Sequence, residues 1–211
     1  MLQTAALILA AGKGTRMHSD KPKVLQTVLG EPMLRYVLEA VRPVFDGRVL
    51  VVVGHQAGMV EAAFPDAAFV RQEQQLGTGH ALMQAMPALE GQCERVLVVN
   101  GDTPLLSEDV VRHFVEASAG ADLAFATIEL DDPAAYGRVV RAAGGGVRAI
   151  VEAKDYDPAL YGPEPHEVNA GMYCVRLDLA ARLLPRIGNA NKSGEYYITD
   201  LISLAVAEGC N

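Results

Sequence analysis

The chain has 211 residues, half of them apolar, and carries 18 Lys and Arg against 26 Asp and Glu for a formal net charge of −8. That is enough apolar chain for one large α/β domain or two small ones. The acidic balance excludes a broadly basic nucleic-acid-binding face and attraction to acidic membrane lipids. Three widely separated cysteines, Cys93, Cys174 and Cys210, show no CxxC spacing. They disfavour a disulfide framework and a zinc site, and they fit a reducing cytoplasm.

The opening MLQTAALILAA has no positive n-region, and its apolar run is too short for a signal peptide or a membrane span. It reads as a buried strand. Residues 5–9, 49–53 and 96–99 are short continuous runs rich in Val and Ile, the pattern of strands covered on both faces in a parallel sheet. Between them, residues 33–41 place Met33, Leu34, Val37, Leu38 and Val41 at helical spacing, and residues 79–89 do the same with Leu82, Met83, Met86 and Leu89. Ser107 followed by Glu108 and Asp109 predicts an N-cap and a helix to about residue 117. This alternation predicts an open, mostly parallel sheet with helices on both faces, which binds ligands outside the carboxyl ends of its strands.

From Ala121 the texture changes. ADLAFATIEL, YGRVVR, VRAIVE and NAGMYCV are strand-like, and AAGGGV and DPALYGPEP read as loops between them. This portion is expected to extend the same sheet or to fold over its face, rather than to form an independent domain. Residues 177–184 and 196–207 read as helices.

After the first strand, LAAGKGTRM leaves the backbone uncovered, because Ala10, Ala11, Gly12 and Gly14 carry no bulky side chain and their N–H groups suit an anion. The loop is neither a GxxxxGK[ST] P-loop nor a dinucleotide fingerprint, since Met17 stands where a third glycine is required. Lys13, Arg16, Lys21 and Lys23 crowd into eleven residues, where the chain's average would put about one basic side chain. Arg16 supplies a forked donor for phosphoryl oxygens and Lys23 a compact charge. Pro22 restrains the backbone beside Lys23, whereas Lys13 and Lys21 read as solvated surface.

Two further segments belong at the same sheet edge. RVLVVNGDTPLL ends a buried strand in Asn100, Gly101 and Asp102, which places a carboxylate where a magnesium ligand is useful. Mg²⁺ is commonly held by one or two carboxylates together with waters and substrate phosphates. In QEQQLGTGHA, Gly77 and Gly79 permit close approach, Thr78 can cap or touch a ligand, and Gln72 and Gln75 can read the polar edge of a base. His80 is assigned no chemistry.

LAAGKGTRM, KPKVL, QLGTGHA, the GD of VNGD, YGRVVR, IVEAKD, VNAG and GEYYITD occur in an order that resembles the uridylyltransferase domain of bacterial N-acetylglucosamine-1-phosphate uridylyltransferases. The resemblance covers essentially the whole chain. It implies a Rossmann-like nucleotidyltransferase fold in one domain over residues 1–211, with a nucleotide-binding portion at 1–120 and a β-rich sugar-binding portion at 121–211. The implied reaction joins UTP to N-acetylglucosamine 1-phosphate with Mg²⁺, giving UDP-N-acetylglucosamine and pyrophosphate for cell-wall precursors.

On matching positions, Leu9, Ala10, Ala11, Gly12 and Gln72 would hold the uridine, with Gly77 and Thr78 beside it. Arg16 and Lys23 would meet the triphosphate, and Asp102 would bind the metal. Gly137, Glu152 and Asn169 would hold the sugar, against a wall shaped by Tyr136. For Asn169, structural hydrogen bonding is an equal alternative.

Two departures from the family pattern stand out. Asn100 occupies a position where a related sequence has tyrosine, which a backbone contact tolerates. The sequence ends at EGCN, before the strand and second metal-binding asparagine, and before the β-helical acetyltransferase domain through which family members form homotrimers. A fragment without acetyltransferase activity is therefore expected. The remaining alternatives are a nucleotidyltransferase with another base or sugar preference, or a catalytically silent nucleotide-sugar-binding module.

Overall fold

The computed structural model describes residues 4–12, 14, 17 and 19–211. Arg16 and Lys13 fall outside the described residues. The first strand, β1 (Thr4–Ala10), is followed by a 3-10 turn at Lys23–Leu25, a two-stranded ribbon of β2 (Thr27–Val28) and β3 (Glu31–Pro32), and helix α1 (Met33–Phe45). Then come β4 (Val49–Val53), α2 (Ala57–Ala63), β5 (Ala68–Arg71), α3 (Thr78–Leu89), β6 (Arg95–Asn100) and α4 (Glu108–Ala117). The second portion contributes β7 (Leu123–Glu129), β8 (Arg138–Arg141), β9 (Val147–Val151), α5 (Pro158–Tyr161), β10 (Glu167–Arg176), α6 (Leu177–Leu183) and α7 (Asp200–Ala207).

Eight of these strands form one mixed sheet in the order β5-β4-β1-β6-β10-β8-β9, with β7 also paired to β10. The β5, β4, β1 and β6 strands are mutually parallel, so their carboxyl ends open on one edge. Alternation along β1 divides the core into two layers. Ala6, Ile8 and Ala10 pack with Leu34, Val37 and Val41 of α1, Val60 of α2 and Val111 of α4. Ala5 and Leu7 pack with Leu82 and Ala85 of α3, Leu183 of α6 and Leu201 of α7. Helices therefore cover both faces, as the doubly apolar strand runs require. Ser107 caps α4 as its sequence predicts, with its hydroxyl oxygen accepting from the Val110 N–H at 3.3 Å.

The second portion extends the sheet. β10 pairs antiparallel with β6 through residues 173–176, then reaches β8 at Val168, while β7 follows its opposite edge. The register shifts between Asn169 and Tyr173. There Gly171 adopts φ +76°, and a Cβ on it would sit 2.5 Å from the Asn100 carboxamide nitrogen. The bulge thus needs glycine on two counts, and it brings the end of β6 against the strand that carries Asn169.

Two local readings change. The predicted loop DPALYGPEP contains the single helical turn of α5, capped by the Asp157 carboxylate, which accepts from the Ala159 N–H at 2.9 Å. The predicted helix over 196–207 begins only at Asp200. Residues 196–198 are instead tied to the loop between β5 and α3 and to the first turn of α3: Tyr196 N–H donates to the Leu76 carbonyl at 2.8 Å, Gly79 N–H to the Tyr196 carbonyl at 2.8 Å, and Ile198 N–H to the Thr78 hydroxyl at 3.0 Å. These long-range bonds satisfy the backbone that local periodicity would have placed in a helix. Among the described residues no helix is long and apolar enough to cross a membrane.

Candidate functional site

A cavity of about 560 Å³ opens at the carboxyl edge of the parallel strands. The chain builds it from three successive strand ends: Leu9, Ala10, Ala11, Gly12 and Gly14 after β1, Gln72, Gln75, Gly77 and Thr78 after β5, and Asn100 and Asp102 after β6. Gly101 lies between the last two. Its N–H donates to the Leu9 carbonyl at 2.9 Å, and a Cβ there would come within 3.1 Å of the same oxygen. Close approach of β6 to β1 accordingly sets where Asp102 stands. The Thr103 hydroxyl secures the turn by donating to the Asn100 carbonyl at 2.8 Å.

Lys23 reaches the same place from the turn after the first loop. Its ammonium pairs directly with the Asp102 carboxylate, and both side chains remain partly exposed. Gly14, at φ +60°, lies so close that a Cβ would be 2.8 Å from Lys23 Cβ. The glycine loop therefore supports the stem of the lysine it faces. In a half-exposed pair such as this, net stability is about 0–1 kcal/mol. The pair matters instead for what it brings together at the strand ends: a carboxylate oxygen and an ammonium in one cavity.

Among the described residues no group of three or more His, Cys, Asp or Glu could hold a metal. A lone carboxylate fits Mg²⁺, which keeps waters and shares phosphate oxygens, and does not fit an all-protein cage. Here the Asp102 oxygen is paired with the Lys23 ammonium.

Gly137, Glu152 and Asn169 form a second group where β10, the start of β8 and the end of β9 meet. Asn169 N–H donates to the Gly137 carbonyl at 2.9 Å, and a Cβ on Gly137 would lie 3.5 Å from Glu152 Oε1. The Asn169 side chain is already engaged, donating to the Tyr173 hydroxyl at 2.6 Å and accepting from Gly171 N–H at 2.9 Å. Both bonds stabilise the bulge. Tyr136 is half-exposed beside this group, and its carbonyl accepts from the buried Arg138 guanidinium.

Burial pushes the Glu152 carboxyl above the usual carboxylate range; the Thr199 hydroxyl, donating to Oε1 at 3.1 Å, opposes that rise, and nearby Asp155, Asp200 and Glu195 add to it. A raised pKa means that folding disfavours the charged form. Stability contributed by protonated Glu152 is present below its unfolded value and is lost as pH climbs through the raised folded value. Glu152→Gln should therefore raise the melting temperature at neutral pH, with the difference shrinking on acidification towards the ordinary carboxylate range. Thermal melts of both proteins across pH 4 to 8 measure this, and a pH-independent difference would assign the effect to packing.

Sequence reasoning named no role for Glu195, which lines the main cavity, or for Thr199, which bonds Glu152. The only signal was GEYYITD itself. No local spacing could place a carboxylate 93 residues after Asp102 in the same cavity. A second cavity of about 510 Å³ lies around the buried Arg95, at the amino end of β6. Arg95 there donates to the carbonyls of Ala121 and Ser118, and Arg176 pairs with Asp122 and Asp178.

Residues 6–161 match a family model described as the MobA-like NTP transferase domain. The chain is 66% identical over 211 residues to the bifunctional protein GlmU of Nitratidesulfovibrio vulgaris strain Hildenborough, covering 99% of this chain and 46% of that protein. It thus spans under half the length of this relative. Two solved structures share the fold: UDP-glucose pyrophosphorylase complexed with UDP-glucose, with TM-score 0.75, 20% identity and coverage of 99% of this chain and 88% of that one, and HddC from Yersinia pseudotuberculosis, with TM-score 0.68, 23% identity and coverage of 94% and 84%.

Proposed function

We propose that this chain, which belongs to the MobA-like NTP transferase domain family, transfers the uridylyl group of UTP to N-acetylglucosamine 1-phosphate in the cytoplasm. The products are UDP-N-acetylglucosamine and pyrophosphate, feeding cell-wall precursor synthesis. The observation that carries this reading is the meeting of Lys23 with Asp102 in a cavity that also contains the glycine loop and Gln72. The 66% identity to GlmU supports the choice of substrates.

In this reading Leu9, Ala10, Ala11, Gly12 and Gln72 hold the uridine, with Gly77 and Thr78 beside it. Asn100 and Gly101 bring backbone to the ligand, and Gly14 and Lys23, with Arg16, take the phosphates. Gly137, Glu152 and Asn169 receive the sugar, with Tyr136 at the rim. Asp102 would hold Mg²⁺, whose chemistry there is to neutralise charge on phosphate oxygens.

A sugar phosphate is already an anionic nucleophile at neutral pH, so the residues need not remove a proton. The barrier lies in bringing two anions together and in stabilising the departing pyrophosphate. Positioning and fixed positive charge address both. Lys23 is released from Asp102 to meet phosphate when substrate enters, so its charge stays in the site throughout.

Pyrophosphate release should be fastest with UTP and N-acetylglucosamine 1-phosphate among UTP, dTTP and CTP, each tested with several sugar 1-phosphates. A clear preference for another pair would reassign the substrates. Binding of UDP-N-acetylglucosamine by calorimetry without any pyrophosphate release would make the chain a nucleotide-sugar-binding module.

A further inference from the structure

Gln72 is 2% exposed although it lines the main cavity. Its carboxamide nitrogen lies 3.0 Å from the Gly77 carbonyl oxygen and 2.9 Å from His80 Nδ1. A carbonyl oxygen only accepts, so the atom facing it must be the amide nitrogen, whatever ligand is present. The same nitrogen has a second hydrogen to place, and His80 Nδ1 receives it. Nδ1 therefore carries a lone pair and the imidazole proton sits on Nε2, 3.3 Å from the end of the exposed Gln84 carboxamide, which must turn its oxygen rather than its nitrogen to that proton.

Both amide hydrogens are spent inside the loop. Among the described residues nothing donates to Gln72 Oε1, so the carboxamide presents an acceptor alone. Rotating it by half a turn would set Oε1 against the Gly77 oxygen and the Nδ1 lone pair, and would leave the amino group without its two acceptors. His80 itself does not line the cavity. It is held on the first turn of α3 with its ring tilted 35° to Tyr196 at 6.3 Å, behind Gly77, which has φ +109° and no room for a Cβ beside the Tyr196 carbonyl.

We infer that His80 is a positioning residue for base choice: its unprotonated Nδ1, acting with the Gly77 carbonyl, locks Gln72 so that only an oxygen acceptor meets the pyrimidine edge. Uracil offers an N3–H donor to that oxygen. Cytosine offers a lone pair at N3, so the contact becomes repulsive. The locked carboxamide selects uridine over cytidine nucleotides by refusing the rotation that would accommodate cytosine. This rests on the reading of the cavity as a uridine site.

The test is the ratio of equilibrium affinities for UTP and CTP, measured by calorimetry on the full chain. His80→Leu and His80→Ala remove the acceptor and should lower the UTP-to-CTP preference by at least about tenfold, the scale of one unmade buried hydrogen bond. His80→Asn places a carboxamide oxygen near the former Nδ1 and should restore the preference. Because both ligands are measured on the same folded fraction, partial unfolding does not imitate the change. Wild-type preference retained in both acceptor-free variants, or no rescue by asparagine, overturns the role of His80 while leaving the uridine site intact. A wild-type protein that binds UTP and CTP equally overturns the uridine reading, and this inference with it.

Discussion

Lys23→Ala should lower turnover by about a hundredfold or more, the loss of about 2.7 kcal/mol that follows removal of one preorganised donor from developing negative charge. Folding should scarcely change. The ammonium is partly exposed and its pairing with Asp102 lies at the surface of the cavity, so melting temperature should stay close to the wild-type value. The main-chain setting of residue 23 also survives, because the 3-10 turn over Lys23–Leu25 is bonded through the backbone, with Leu25 N–H donating to the Pro22 carbonyl at 2.9 Å. Steady-state pyrophosphate release measures the effect. Near-normal turnover would reject Lys23 as a phosphate-binding group and leave the pair with Asp102 as an ordinary surface contact.

Asp102→Asn should be the larger loss, with turnover falling by about a hundredfold to a thousandfold and the divalent cation needed for half-maximal rate rising tenfold or more. Asparagine keeps the shape and one oxygen but removes the charge that makes the site a cation site. Because Gly101 N–H and the Thr103 hydroxyl hold the surrounding turn through backbone carbonyls, the substitution leaves that turn in place. A magnesium titration separates the two roles: an unchanged half-saturation point would make Asp102 structural. The double variant should lose less than the product of the single losses, since the lysine and the carboxylate act on the same phosphates. Manganese binding without nucleotide gives a complementary reading, because Lys23→Ala removes the ammonium that competes for the Asp102 oxygen and should strengthen it.

The two variants probe groups 79 residues apart in sequence, and the glycine loop, strand runs and N-cap that position them are local features. Covering β1 on both sides required neighbours in two helical layers, and its uninterrupted apolar run already expressed that demand. Ser107 announced α4 for the same reason: a cap bond spans three residues, so its chemistry is complete within the segment. The order of motifs along the chain likewise carried the family resemblance, and the ends of β1 and β6 were legible as one sheet edge once both strands were read as parallel.

Tertiary structure decided the rest. Periodicity favoured a helix through residues 196–199, but the bonds of Tyr196 and Ile198 tie that segment to the loop before α3, and the chain turns into the helix only through Ile198 and Thr199. No spacing rule could show that Asn169 spends its carboxamide on Tyr173 and Gly171, or that Thr199 bonds Glu152. The sequence alone determined which strands are buried, where the glycine loop and its cations lie, and which acid ends the fourth parallel strand, because each depends on neighbours a few residues away. Only the folded chain decided that Lys23 meets Asp102 and that His80 locks Gln72. A hydrogen bond or ion pair is set by angstroms in space, and the distance along the chain places no limit on which side chains can be brought within that reach.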